Sequence, residues 1–351
     1  MKKCLLLLAM FAMVATTAIL CLEAHFYLKF LDGRWFDIET RYVLLTETSM
    51  SVKALGALHK RLPDTQQQRS STISKGGFEK GIRVRFDKDD NPSAGKTYFF
   101  KIAQSASDAR AEGWKLTQRP SVSDLPQLVM YCPEDKVLCA LYDDTGYIAG
   151  LQVALSKSEF SNNVYGWAKR GFTSWNTTVD GVYKMFWTLQ QYFVSRDFLQ
   201  KSKEERLASR DSTRLLQERA IWVVGTNKEL KRISTSEEDV IQEGLFTKQA
   251  CITWMGQHYY YNMSSTTECT TDQMFPWFLM MKNDTLVATG LLTYGKIEIP
   301  DGRRDWFEHP GLATVKALIP KGPSCLYDVA AQSGTITMHL YYIDQPWTVT
   351  C

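Results

Sequence analysis

Apolar positions fall into distinct patterns along this chain. From Cys4 to Leu22 they run almost unbroken behind Lys2 and Lys3, with small residues at Ala15, Ala18 and Ala24. A basic start, an apolar run and small residues near its end predict a cleaved export leader over residues 1–24. An uncleaved membrane anchor is the competing reading of such a run; Thr16, Thr17 and the lack of a basic cluster behind it argue for the leader. No later stretch is apolar and long enough to suggest a span. Tyr147–Leu155 and Thr335–Ile343 are dense in β-branched and aromatic residues and predict half-buried strands. Asp32-Gly33 predicts a hairpin within His25–Leu45. The Gln-, Ser- and Gly-rich Leu62–Gly81 predicts a linker. Gln200–Glu218, charged and without Gly or Pro, predicts a connecting helix.

The chain also matches itself. Lys101–Gly113 aligns with Arg232–Gly244, so that Ile102, Ser105, Asp108, Glu112 and Gly113 fall on Ile233, Ser236, Asp239, Glu243 and Gly244. Each stretch predicts a short helix: serine at the N-cap, acidic residues in the first turn, glycine in the left-handed position past the end. The match continues colinearly. Cys132 and Asp135 fall on Cys269 and Asp272, Asp144-Thr145 on Asp284-Thr285, Trp167 and Gly171 on Trp306 and Gly311, and Trp187–Val194 on Ile336–Ile343. These pairs predict an α+β fold made by tandem duplication of a disulfide-bonded, strand-rich unit: strand, short helix, hairpin, Trp loop, strand. The predicted organisation is leader 1–24, an N-terminal hairpin region and polar linker 25–89, a first unit with its charged connecting helix 90–214, and a second unit 215–351.

Composition narrows the setting. With 44% apolar residues the chain can bury a core. The formal net charge of +3, near +2 once Lys2, Lys3 and Glu23 leave with the leader, gives no reason to expect a nucleic-acid partner. Of eight cysteines, Cys4 and Cys21 belong to the leader. Cys132, Cys139, Cys251, Cys269, Cys325 and Cys351 remain, an even number that predicts disulfides in an exported chain. Their order suggests the pairs 132–139, 251–269 and 325–351. Sequons at Asn176, Asn262 and Asn283 are glycosylation candidates, whereas Pro92 disqualifies Asn91.

Candidate chemistry is sparse. Ser93–Thr97 resembles a phosphate loop but has Asp90 where the first glycine belongs, and it leads into the strand-like Tyr98-Phe99-Phe100. No G-x-S-x-G elbow occurs, and no catalytic residue is assigned. His258, His309 and His339, with Glu308 as ligand or base, are candidate ligands for zinc or copper. In the first unit Gln190 stands where His339 does and Arg170 lies near the place of His309, the asymmetry expected of a functional second copy beside a degenerate first. Trp254, Tyr259 and Tyr261 are candidates for a stacking surface on a small-molecule or carbohydrate ligand, with Tyr260 turned to the other face by strand alternation. Trp167 and Trp306 recur in both units, as core residues do. The stretch from Lys248-Gln-Ala-Cys-Ile-Thr-Trp-Met-Gly-Gln-His258 to Tyr341-Tyr-Ile-Asp344 resembles uncharacterised secreted proteins of invertebrates, a resemblance that implies no activity. The expectation is a secreted glycoprotein of the gland-secreted type, acting outside the cell by binding or signalling. Its partner would be a protein or a small-molecule or carbohydrate ligand, with no cofactor, no nucleic acid and no membrane span after leader removal. The alternative is a secreted metal-dependent hydrolase or oxidase using the three histidines.

Overall fold

Runs of β-branched and aromatic residues recur along the chain, and the computed structural model pairs them into antiparallel sheets. It describes residues 81–85, 98–121, 123–161, 166–269, 274–299 and 303–351, all within one compact unit, Gly76–Cys351. The leader, the hairpin around Asp32-Gly33 and residues 62–80 of the linker lie outside the described residues. No described helix is long and apolar enough to cross a membrane.

Strands β1 (Arg83–Arg85) and β2 (Phe99–Lys101) pair first, and α1 (Ala106–Ala111) follows. Then come β3 (Lys115–Thr117), β4 (Val129–Cys132), β5 (Leu138–Tyr142), β6 (Ile148–Ser156), β7 (Phe160–Ser161), β8 (Thr173–Val179) and β9 (Val182–Tyr192). Helices α2 (Arg196–Gln200) and α3 (Lys203–Ser209) lead to β10 (Ala220–Val224), β11 (Leu230–Ser234) and α4 (Glu237–Glu243). The remainder is β12 (Phe246–Ile252), β13 (Gly256–Tyr261), β14 (Trp277–Lys282), β15 (Thr285–Tyr294), β16 (Lys296–Ile297), α5 (Leu312–Leu318), α6 (Ser324–Ser333) and β17 (Thr335–Tyr341). This is a strand-rich α+β fold.

The first sheet runs β3-β4-β5-β6-β9-β10-β11, with β8 also on β9; the second runs β12-β13-β14-β15-β17-β1-β2. Each sheet is therefore completed by a hairpin that precedes the other sheet in the chain. β1–β2 comes just before the first sheet's strands yet joins the second at β17, and β10–β11 comes just before the second sheet's strands yet joins the first at β9. Local hydrogen bonds repeat as well. Ala106 N–H donates to Gly146 and Ile148 N–H to Gln104 in the first half, as Glu237 N–H donates to Asp284 and Leu286 N–H to Thr235 in the second. Ser105 caps α1 by accepting from Asp108 N–H at 3.1 Å, and Ser236 caps α4 by accepting from Asp239 N–H at 3.4 Å. Gly113 and Gly244 follow at φ of 85° and 66°, where an L side chain would be strained.

Two expectations change. The charged stretch after Gln200 is not one helix: Lys201 is extended and Ser202 starts α3 with its own capping box to Glu205, so α2 and α3 are separate turns. Cys132–Cys139 closes as expected, but the other pairs are Cys251–Cys351 and Cys269–Cys325 rather than 251–269 and 325–351. The register explains why. Cys251 lies opposite Gln257, whereas Cys269 follows Tyr261 beyond the far end of that hairpin. The C-terminal segment returns beside the turn at Trp254, whose N–H donates to Val349 at 2.6 Å, and so brings Cys351 to Cys251.

Candidate functional site

Alternation along β9 and β17 decides which side chains lie between the sheets. Gln191 Oε1 accepts from Thr289 Oγ1 at 2.8 Å and from the Tyr342 hydroxyl at 3.2 Å, so this buried polar group bridges the two sheets. Neighbouring positions project from the opposite faces: Thr188, Gln190 and Tyr192 from the first sheet, His339 and Tyr341 from the second.

The outward face of the second sheet is filled. Tyr260, Phe278, Gly290, His339 and Arg85 stand in one cross-strand row over β13, β14, β15, β17 and β1. Gly290 leaves room for the Phe278 ring, because a Cβ there would sit 1.9 Å from Phe278 Cζ. The ring packs 4.8 Å from Tyr260, 5.8 Å from His258 and 5.3 Å from His339, centroid to centroid. His339 Nδ1 lies 2.5 Å from Glu308 Oε1, an ion-pair distance, although neither atom has the alignment of a good hydrogen bond. Arg85 approaches the same carboxylate at 3.4 Å. Burial pushes the Glu308 carboxyl up, but the His339 ring and then Arg85 outweigh it and hold it below the usual range. His258 is wholly buried; burial, helped by His339, lowers its pKa to about 3, so the ring is neutral. Its Nδ1 lies 3.1 Å from the Gly256 carbonyl.

Two of the three candidate metal ligands thus meet, with His258 and His339 ring centroids 6.3 Å apart. The third does not join them: His309 Nε2 lies 2.7 Å from Asp305. Among the described residues no group of three or more His, Cys, Asp or Glu is arranged to hold a metal ion. The expected ligand-stacking residues divide too. Tyr259 is buried, with its hydroxyl on Glu237. Tyr261 packs on Phe246 and Phe275. Trp254 occupies the β12–β13 turn at φ 74°, and its carbonyl accepts from Tyr341. Tyr260 faces the opposite way, onto Phe278. Trp167 and Trp306 are buried, and the indole of Trp306 donates to Asp135 at 2.7 Å.

The outward face of the first sheet is built differently. Its cross-strand row holds Cys139, Gln152 and Gln190, a cystine sulfur and two buried side-chain amides where the second sheet has an aromatic ring and an imidazole. Gln190 Nε2 donates to Gln152 Oε1 at 2.7 Å, while its own Oε1 accepts from the Tyr192 hydroxyl and from Arg119 Nη2 at 3.3 Å. Arg119 is further held by the carbonyls of Leu125 and Leu128. Above this floor opens a cavity of about 270 Å³, lined by Ser123, Asp124, Thr173, Thr188, Gln190, Arg196, Val224 and Lys228, with Gly171 in its wall. Gly171, at φ 95°, allows the 166–172 turn to lie on the β10–β11 turn; a Cβ would meet the Gly225 carbonyl oxygen at 2.1 Å. Asn227 N–H donates to Lys169 across the same contact. Burial raises the Asp124 carboxyl above its usual value, against the pull of Arg196 and Arg119.

No likeness to a known protein decides what this cavity holds. No protein-family model matches the sequence, and no curated protein or solved structure is significantly similar to it. Among the cavity residues only Gly171, Thr188 and Gln190 carried a sequence signal, as members of the internal match; Ser123, Asp124, Thr173, Arg196, Val224 and Lys228 carried none. They come from separate stretches of the chain, and none has a spacing that marks chemistry. Gln190 was visible as the partner of His339 in the internal match.

Proposed function

We propose that this protein is an exported, glycosylated, disulfide-bonded binding protein that holds a small polar ligand on the outward face of its first sheet. The observation that carries this reading is the open cavity of about 270 Å³ with convergent polar side chains. It lies just under the usual range of ligand sites, roughly 300–1,000 Å³. Export is supported by the leader-like N-terminus and by three cystine pairs, which persist in oxidising compartments. Glycosylation is supported by the exposure of Asn176, Asn262 and Asn283.

Tandem duplication is part of the proposal. Its support is the repeated strand order, the matching caps and the paired hydrogen bonds around Gly146 and Asp284. On this reading the second copy filled its outward face with Phe278, His258 and His339, and the first copy kept its face open. That reverses the asymmetry suggested by the histidines alone.

The test is native mass spectrometry of the full chain purified from the medium of secreting eukaryotic cells, before and after incubation with polar metabolites. A small molecule retained by the wild type and lost in Thr173→Trp, where the indole occupies the cavity, supports the reading. A wild type that takes up none at about 1 mM, a weak-binding regime, or a variant that retains all of them, overturns it.

A further inference from the structure

The charges around the cavity go further than its shape. Arg196 and Lys228 line it, and Arg119 stands behind Gln190. Asp124 is the one carboxylate among the lining residues. The cations outnumber it, so the cavity carries a net positive charge, which concentrates anions. The guanidinium of Arg119 is occupied by Leu125, Leu128, Gln190 and Tyr192, so it acts on the cavity by charge alone. Arg196 spends one N–H on the Asp124 carbonyl at 3.4 Å and keeps others to offer. The Lys228 ammonium acts on Asp124 through its charge and makes no hydrogen bond with a described residue. Its backbone is also held at φ 63°, beside Asn227 at φ 56°, a conformation an L side chain adopts at a cost and glycine adopts freely. A lysine therefore stands at the cavity rim where the backbone alone favours glycine.

Building on the cavity reading above, we propose that the ligand is a small organic oxyanion, a carboxylate or a phosphate ester, held by Arg196 and Lys228. Ser123, Thr173 and Thr188 offer hydroxyls, and Gln190 a side-chain amide, to a hydroxylated remainder of the ligand. Arginine suits the planar, two-oxygen face of such a group, and lysine adds a mobile point charge.

Isothermal calorimetry on the full glycosylated chain tests this with four probes: inorganic phosphate, glucose 6-phosphate, gluconate and glucose. Glucose 6-phosphate or gluconate is expected to bind at least about tenfold more tightly than glucose, a difference that shrinks as sodium chloride screens the charges. Arg196→Gln weakens that binding about tenfold, the scale of one charged hydrogen bond. Lys228→Gly weakens it similarly while the thermal midpoint stays level or rises, which separates loss of a ligand contact from loss of fold. Glucose bound as tightly as glucose 6-phosphate, with both variants neutral, overturns the oxyanion assignment and leaves the ligand-binding reading standing. Anion binding unchanged in both variants and in Thr173→Trp also overturns it, as adventitious surface binding. If no probe binds the wild type below about 10 mM, the oxyanion assignment falls, and the cavity reading falls with it only when the mass-spectrometric screen also retains no ligand.

Discussion

At the scale of single residues, Gly290 and His258 make the outward face of the second sheet what it is. Gly290 is needed for space, not for backbone freedom, since the Phe278 ring lies where its Cβ would be. That ring is boxed in by Tyr260, His258 and His339 and has nowhere to move. Gly290→Ala is therefore expected to destabilise the fold by about 2 kcal/mol, the cost of overpacking a closed core. Urea unfolding with fluorescence detection reads the change. An unaltered midpoint would mean that the ring has room to shift. His258 makes a second prediction, with its sign fixed by the neutral buried ring. Its folded pKa of about 3 lies below the unfolded value of 6.5. Between those limits the unfolded chain binds a proton that the fold refuses, so stability is fully present above pH 6.5 and falls as pH drops through the window. Glu308, also lowered, is fully ionised above the unfolded carboxyl value of 4.5 and adds its own loss below it. His258→Asn, which keeps a donor toward Gly256, is expected to flatten the slope between pH 6.5 and 4.5. Stability curves for the two proteins at a series of pH values check this, and an unchanged slope would sink it.

Elements are secured by short-range chemistry at their ends and by cystines between them. The serine caps of α1 and α4 act within three residues, and the hydroxyl of Tyr259 reaches Glu237 on α4. The cystines differ in reach. Cys132–Cys139 ties adjacent strands β4 and β5 across a separation of 7, whereas Cys251–Cys351 spans 100 and fastens the C-terminal segment to β12. Closing a longer loop restricts the unfolded chain more, so removing the Cys251–Cys351 link by serine replacement of both is expected to cost about 4 kcal/mol. Removing Cys132–Cys139 is expected to cost about 2 kcal/mol by the same reasoning. Chemical denaturation of the two variants should rank them in that order. A peptide map under non-reducing conditions should find Cys269 joined to Cys325.

For the molecule as a whole, the exchanged hairpins matter most. Without β1 the His339–Tyr341 end of β17 would be an open edge, and without β10 so would the Gln191–Tyr192 end of β9, beyond the reach of β8. Unpaired edges of that kind recruit other strands. Further contacts run both ways between the halves. Arg170 donates to the carbonyls of Cys269 and Met274, while Arg303 meets Asp180 at 2.7 Å and Trp306 reaches Asp135. Cleavage at a protease site inserted after Ser212, in the exposed connection, is expected to leave the two fragments together under native conditions. None of the three cystines spans that cut, so co-elution on size exclusion would report the exchanged strands together with these non-covalent contacts. Each fragment expressed alone is expected to lack a cooperative unfolding transition. Separation of the nicked fragments without denaturant would show that the exchanged strands contribute little.

The sequence by itself determined what depends on neighbours a few residues apart. β-branched and aromatic density marked β6 and β17, although both are buried along their whole length rather than on one face; Ser105 and Ser236 announced their helices, and a spacing of seven sufficed for Cys132–Cys139. The internal match pointed to Gln190 and His339 as related positions, though it could not say which would face a cavity. Only the tertiary structure decided the rest, because those features depend on which strand edges meet. Strand pairing sent Cys251 to Cys351, brought His339 to Glu308 while His309 stayed with its near neighbour Asp305, and carried each hairpin across to the other sheet. It also gathered Ser123, Thr173, Arg196 and Lys228 around one opening. No residue in that group signals another along the chain, since the strand crossings that unite them are set by packing over the whole fold.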